Sequence, residues 1–104
     1  MPLIFAYITC PSKNEAKRIA KILLDKKLIA CAVITKEVDS LFWWKNKTSE
    51  EKEFLLIAKT DNGKFGKIVE AVEKIHPYDV PCIIKIPITA NKKYEKWVKD
   101  CVKK

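Results

Sequence analysis

Glycine is nearly missing from this chain: Gly63 and Gly66 are the only two in 104 residues. That excludes a glycine-rich loop cradling phosphate, because Gly63-Lys64-Phe65-Gly66 lacks the spacing of a P-loop. Arginine is scarcer still, with Arg18 alone beside twenty lysines. A net charge of +8 would suit nucleic acid, but arginine is the residue that reads phosphate and guanine in bidentate fashion. Lysine spread over helix faces is mainly solvating, so no nucleic-acid partner is expected. Histidine occurs once, as His76. No Ser-His-Asp set has motif-level support, and no enzymatic reaction is expected. Cys10, Cys31, Cys82 and Cys101 contain no C-x-x-C pair, which removes a zinc ribbon or a thioredoxin-type site. They are expected as free thiols in a reducing cytoplasm. Cys31 and Cys82 would lie inside strands and Cys101 on a helix, as small buried hydrophobes. No apolar run approaches the ~20 residues of a membrane span. Met1-Pro2-Leu3-Ile4 also lacks a signal-peptide layout. Cytoplasmic residence without a membrane partner is the expectation.

What is abundant is apolar patterning, at 48% of the chain. Pro2 to Thr9 reads as a strand. Ser12 with Glu15 three residues on forms a capping box. Ala16, Ile19, Ala20, Leu23 and Leu24 then mark one face of an amphipathic helix. A long hairpin follows, from Leu28 to Trp44 and from Glu53 to Thr60, turning at Lys45-Asn46. Asn is the best substitute for glycine at a left-handed turn position. Phe65, Ile68, Val69, Val72 and Ile75 define a second helix, which Pro77 stops at His76. Val80 to Ile88 reads as a strand at a sheet edge, because Pro81 and Pro87 cannot donate to a ladder. After Thr89-Ala90-Asn91, a last helix carries Tyr94, Trp97, Val98, Cys101 and Val102 as its buried stripe.

The order β-α-β-β-α-β-α predicts a single α+β domain over residues 1–104. Its form is a ferredoxin-like β-α-β-β-α-β sandwich with an extended hairpin between the second and third strands and an extra C-terminal helix. Both crossovers put helices on one sheet face, so a monomer should be polar on the other. Leu28 to Ile34 and Phe54 to Ala58 are instead apolar at both parities. The hairpin also ends in Phe42-Trp43-Trp44, too apolar for open water. A second copy of the chain is the expected cover, with these aromatics at the interface. Their use as a stacking platform for bases is the weaker reading, because no ribonucleoprotein signature accompanies them.

Five segments together resemble the CutA (divalent-cation tolerance) family: Leu28-Ile29-Ala30-Cys31-Ala32, Ser40-Leu41-Phe42-Trp43-Trp44, Glu53 with Lys59-Thr60, His76-Pro77-Tyr78-Asp79-Val80-Pro81, and Tyr94 with Trp97. The resemblance spans nearly the whole chain. It implies a cyclic homotrimer associated with heavy-metal tolerance, copper foremost and zinc or another divalent cation after it, with no metal required for folding. In the bacterial branch, copper ligation has been associated with a first-strand cysteine and with histidines at the His-Pro-Tyr segment. Here Ile8 stands at that cysteine position with Cys10 two residues on, and His76 is preceded by Ile75. Asn46 stands where the family usually has glycine. The candidate metal ligands are therefore His76, Cys10 and Cys31, with Glu53 or Asp79 as possible additions. Imidazole and thiolate suit copper and zinc, and Cys10 at a helix entrance is expected to favour thiolate. A trimer of ferredoxin-like protomers is also similar to the PII signalling proteins. That keeps a small-ligand sensor, or a scaffold without a physiological metal, as the second class of function.

Overall fold

The computed structural model describes residues 2–103. Strand β1 (Leu3–Cys10) leads into helix α1 (Lys13–Asp25). The Ser12 hydroxyl accepts from the Glu15 backbone N–H at 3.1 Å, which is half of the expected capping box. The other half is absent: the Glu15 carboxylate takes Arg18 instead. α1 closes with Leu28 N–H on Leu23 O and Lys27 N–H on Leu24 O, both 3.0 Å. That is a Schellman closure, and Lys27 takes its left-handed position at φ 56°. The shortage of glycine is thus met by lysine and asparagine, since Lys45 and Asn46 at the hairpin tip also have positive φ.

Strands β2 (Cys31–Ile34), β3 (Val38–Trp44), β4 (Lys47–Asp61) and β5 (Ile83–Ile88) complete the sheet, with α2 (Phe65–Ile75) between β4 and β5. A single 3₁₀ turn, Asn62–Lys64, precedes α2. The order β2-β4-β1-β5 is antiparallel throughout, with β3 paired to the far half of β4. This is the ferredoxin-like order with its second strand cut in two. The run from Leu28 to Trp44 was expected as one strand. It is interrupted at residues 35–37, and residues 28–30 lie outside the strand, although Leu28 and Ile29 are buried. Ile34 faces Leu56 and Val38 faces Glu53, so the first strand spends one residue more than the second. Such an insertion bends a ribbon and raises its twist. Thr35 fixes it in place, its N–H donating to Leu55 O and its Oγ1 accepting from Leu55 N–H, each at 3.0 Å. β4 runs through unbroken and carries β3 outward as an arm. The molecule consequently measures 45 × 25 × 22 Å.

α1 and α2 cover one sheet face. The core there includes Ala6, Ile8, Cys10, Ile19, Leu23, Leu56, Ala58, Ile68 and Val72. The alternate residues of the same strands face away. Of these, Val33, Ile84 and Ile86 are each between 40% and 49% exposed, so the second face is apolar and open as expected. Helix α3 (Lys92–Val102) lies at the margin of that face. Val98 and Val102 are buried, but Trp97 is 46% exposed, which corrects its placement in a buried stripe. Tyr94 and Cys101 are half-buried. An eleven-residue helix on one margin reaches too little surface to cover all five. β5 starts at Ile83, two residues beyond Pro81, and is an edge strand as its prolines require. No helix among the described residues is long and apolar enough to cross a membrane.

Candidate functional site

His76 caps α2, its N–H donating to Val72 O at 2.8 Å. Pro77 then turns the chain back across the end of β1. Both ring nitrogens are engaged. The Tyr78 backbone N–H donates to Nδ1 at 3.1 Å, and Nε2 lies 2.8 Å from Thr9 O. A nitrogen that accepts an N–H carries a lone pair, so the proton sits on Nε2 and is donated to Thr9. The Tyr78 ring packs 4.7 Å from the imidazole, and its hydroxyl donates to Glu53 Oε2 at 2.8 Å. Glu53 is buried at the arm's root. Burial first, and the Glu53 bond second, push the Tyr78 phenol up.

Cys10 belongs to the same corner and is fully buried. Burial, then the Glu15 and Glu53 carboxylates, raise its thiol to about 12, against a smaller opposing pull from Arg18. The expected thiolate at the helix entrance is thereby corrected: desolvation in the core outweighs the helix N-terminus. Because the folded-state pKa lies above the ordinary 9.0, the neutral thiol contributes stability that is complete below pH 9 and is lost as pH rises toward 12. Alkaline titration should remove at most about 4 kcal/mol through this group. Urea midpoints measured from pH 7 to 11 should fall more steeply for the parent than for Cys10→Ala, and parallel slopes would refute the assignment.

The lone arginine stitches this corner together. Arg18 Nε and Nη2 hold Glu15 at 2.9 and 2.8 Å, and Nη2 also donates to Ile75 O at 2.6 Å. Sequence reasoning missed this link, since nothing in the spacing ties residue 18 to residue 75. It also missed the Glu53–Tyr78 bond, because nothing in the spacing ties the first residue of the expected strand to residue 78.

The structure brings His76 and Cys10 to one end of β1 and leaves Cys31 elsewhere. Cys10 is opposite Phe54 and Cys31 opposite Lys59, five residues apart along β4. At ~3.3 Å per residue that is roughly 17 Å. The Cys31 thiol meets the Tyr94 hydroxyl at 3.3 Å instead. Asp79 is exposed. Among the described residues, no group of three or more His, Cys, Asp and Glu side chains is placed to hold a metal ion. A cation at His76 would have to displace a backbone hydrogen bond on either nitrogen. The four cysteines are all free thiols, and Cys31, Cys82 and Cys101 are only half-buried.

The arm's tip has no cover within the chain. Leu41, Phe42 and Trp43 stand opposite Glu50, Ser49 and Thr48, so no apolar partner faces them across the ribbon. Trp43 is 74% exposed, and Leu41 is nearly as open. Phe42 and Trp44 share the other side of the ribbon. Leu41, Phe42 and Trp43 line an open hollow of about 540 Å³ together with Thr48, Ser49 and Glu50.

Residues 4–101 match the family described as CutA1 divalent ion tolerance protein. A divalent-cation tolerance protein CutA from Archaeoglobus fulgidus is 44% identical over 99 residues, covering 94% of this chain and 96% of that one. A solved Archaeoglobus fulgidus structure, described as the periplasmic divalent cation tolerance protein CutA, superposes with a TM-score of 0.94 at 43% identity, covering 97% of this chain and 99% of that one. The CutA1 structure from Oryza sativa gives a TM-score of 0.93 at 38% identity over 97% of this chain and 94% of that one.

Proposed function

The chain belongs to the CutA1 divalent ion tolerance family, and from that premise we propose a cytoplasmic homotrimer that confers metal tolerance by binding a divalent or soft transition metal ion, copper foremost, without catalysing a reaction. The observation that carries the tolerance role is the family match over residues 4–101. The trimer is supported by the open apolar sheet face and by the uncovered arm. Cytoplasmic residence is supported by the four free thiols.

One chain offers too few donors, so the metal takes ligands from more than one subunit, His76 at one corner and the half-buried Cys31 at another, while Cys10 stays a neutral thiol sealed in the core. Because the His76 nitrogens already serve Thr9 and Tyr78, capture competes with those bonds and affinity is modest, in the micromolar range or weaker, about −8 kcal/mol at 1 μM. Calorimetric titration of untagged protein with copper and with zinc tests this. His76→Ala, Cys10→Ser and Cys31→Ser should each be compared with the parent. Weakening by at least tenfold in one or more variants is expected, and parent-like binding by all three would remove these residues from the site.

A further inference from the structure

A groove runs between α1 and α2 on the outer side of the helix layer, and we propose that it docks an acidic amphipathic helix of a partner protein. Its floor is Ile22 and Leu28 from the end of α1 against Ala71 and Ile75 of α2, and the hollow measures about 490 Å³. Leu28 is buried and the other three are half-buried. The hollow has a cause in the sequence. Lys67, Ala71 and Ile75 form one i, i+4 row along α2. Ala71 is the small member of that row, so the row dips at its methyl group. The proposed trimer covers the opposite face of the sheet and the arm, which leaves this groove on the outside of the assembly. The docking site stands apart from the metal reading.

Shape and charge select the occupant. Both walls are helices whose backbone bonds are internal, so they offer an extended peptide no ladder to join. A helix satisfies its own backbone and brings side chains alone. From residue 67 to residue 75 the row runs about 12 Å, and anchors at i, i+4 and i+7 of an incoming helix span about 10 Å. A small ligand in so open a hollow would keep much of its surface in water, whereas ligand sites bury most of their guest. Lys26, Lys67 and Lys74 stand around the floor, with Glu70 the one carboxylate lining it. Glu70 is drawn to Lys74 at 3.7 Å, both side chains being about three-quarters exposed. Among the described residues, Lys26 and Lys67 make no ion pair. An apolar floor inside a basic rim complements aliphatic anchors flanked by glutamate or aspartate. Nucleic acid would meet the lysines and leave the floor empty.

The probe is a labelled helical peptide with leucine along one face and glutamate on both flanks. Its controls are the same peptide with lysine for glutamate, and a scrambled sequence of equal composition. Fluorescence anisotropy reads affinity on the intact protein at about 0.15 M salt, and ¹H–¹⁵N spectra place the contact. The acidic peptide should shift the signals of residues 22, 26, 67, 71 and 75, and should bind about tenfold more tightly than either control. Lys26→Glu with Lys67→Glu should weaken it about tenfold and let the lysine peptide bind in its place. Lys13→Glu with Lys17→Glu makes the same change in net charge on the far side of α1, and should bind as the parent does. Ala71→Glu puts a carboxylate on the floor and should abolish binding. Equal binding by either control peptide would overturn the proposal, as would equal weakening by the two charge pairs, or shifts confined to the arm's tip or the open sheet face. So would a change of mass by light scattering in the Lys26→Glu, Lys67→Glu variant, which would mark the groove as a contact between copies. If the Ala71 variant fails to fold, the three peptides on the wild type still decide.

Discussion

Phe42→Glu combined with Trp44→Glu is expected to turn the proposed trimer into a folded monomer. Both residues lie on one side of the β3–β4 arm, outside the buried core, so the fold does not depend on them. An aromatic side chain buries about 150–250 Å² at an interface. Phe42 and Trp44 leave 37% and 41% of their surface open in one chain, so at ~25 cal/mol per Å² the pair contributes roughly 3–5 kcal/mol per subunit as an upper bound, before the losses on association. Introducing two carboxylates also places charge where an obligate contact, above ~2,000 Å² in total, has to be dry. Light scattering at micromolar concentration reads the outcome. A parent already monomeric, or a double variant with the parent's mass, would dismiss the arm as the assembly element. Far-ultraviolet circular dichroism of the variant should match the parent, because only the arm's surface has changed.

His76→Ala should lower stability by about 2–4 kcal/mol whether or not metal is present. The ring joins the end of β1 to the turn after α2 through Thr9 O and the Tyr78 N–H. Removing it leaves both backbone groups unsatisfied in a largely buried corner, at about 1–3 kcal/mol each, partly recovered by water. His76→Gln should recover part of the loss, since its amide offers a donor and an acceptor. Denaturant midpoints at constant slope make the measurement. A loss under ~0.5 kcal/mol would mean that the two hydrogen bonds do not hold the corner. Metal titration of the same variants separates the roles, because a structural clasp lost by alanine and regained by glutamine does not predict metal affinity.

The elements legible in the sequence were those set by short-range rules. Ser12 as a helix cap, Lys45-Asn46 as a two-residue turn, Pro77 as a helix stop and proline-marked β5 as an edge each follow from one or two residues. The apolar second face was legible too, from strands apolar at both parities. The break at residues 35–37 was not, because a bulge arises from how two strands of unequal count are matched. The sequence of one strand does not show how many residues the other will spend. Cys10 was misjudged for a related reason. Its position before a helix is local, whereas its burial comes from α1, α2 and β4 closing over it. Trp97 was misjudged in the opposite direction, as helical periodicity shows which side of α3 faces inward but not how far the sheet beneath it extends.

The pairing of β1 has a consequence for the order in which the chain acquires its shape. Leu3 stands opposite Asp61 on one side and Ile88 on the other. The central strand leaves the ribosome before both of its partners, lacking β4 until residue 61 and β5 until residue 88 has followed. At 5–20 residues per second the wait is roughly 4 to 17 seconds before the second partner exists. The arm needs no such wait, since its turn is local and ribbons of this kind close in about 1–10 μs. The aromatic tip is therefore formed and displayed while the sheet that anchors it is still incomplete, so its apolar side chains meet the surroundings before the body of the domain exists.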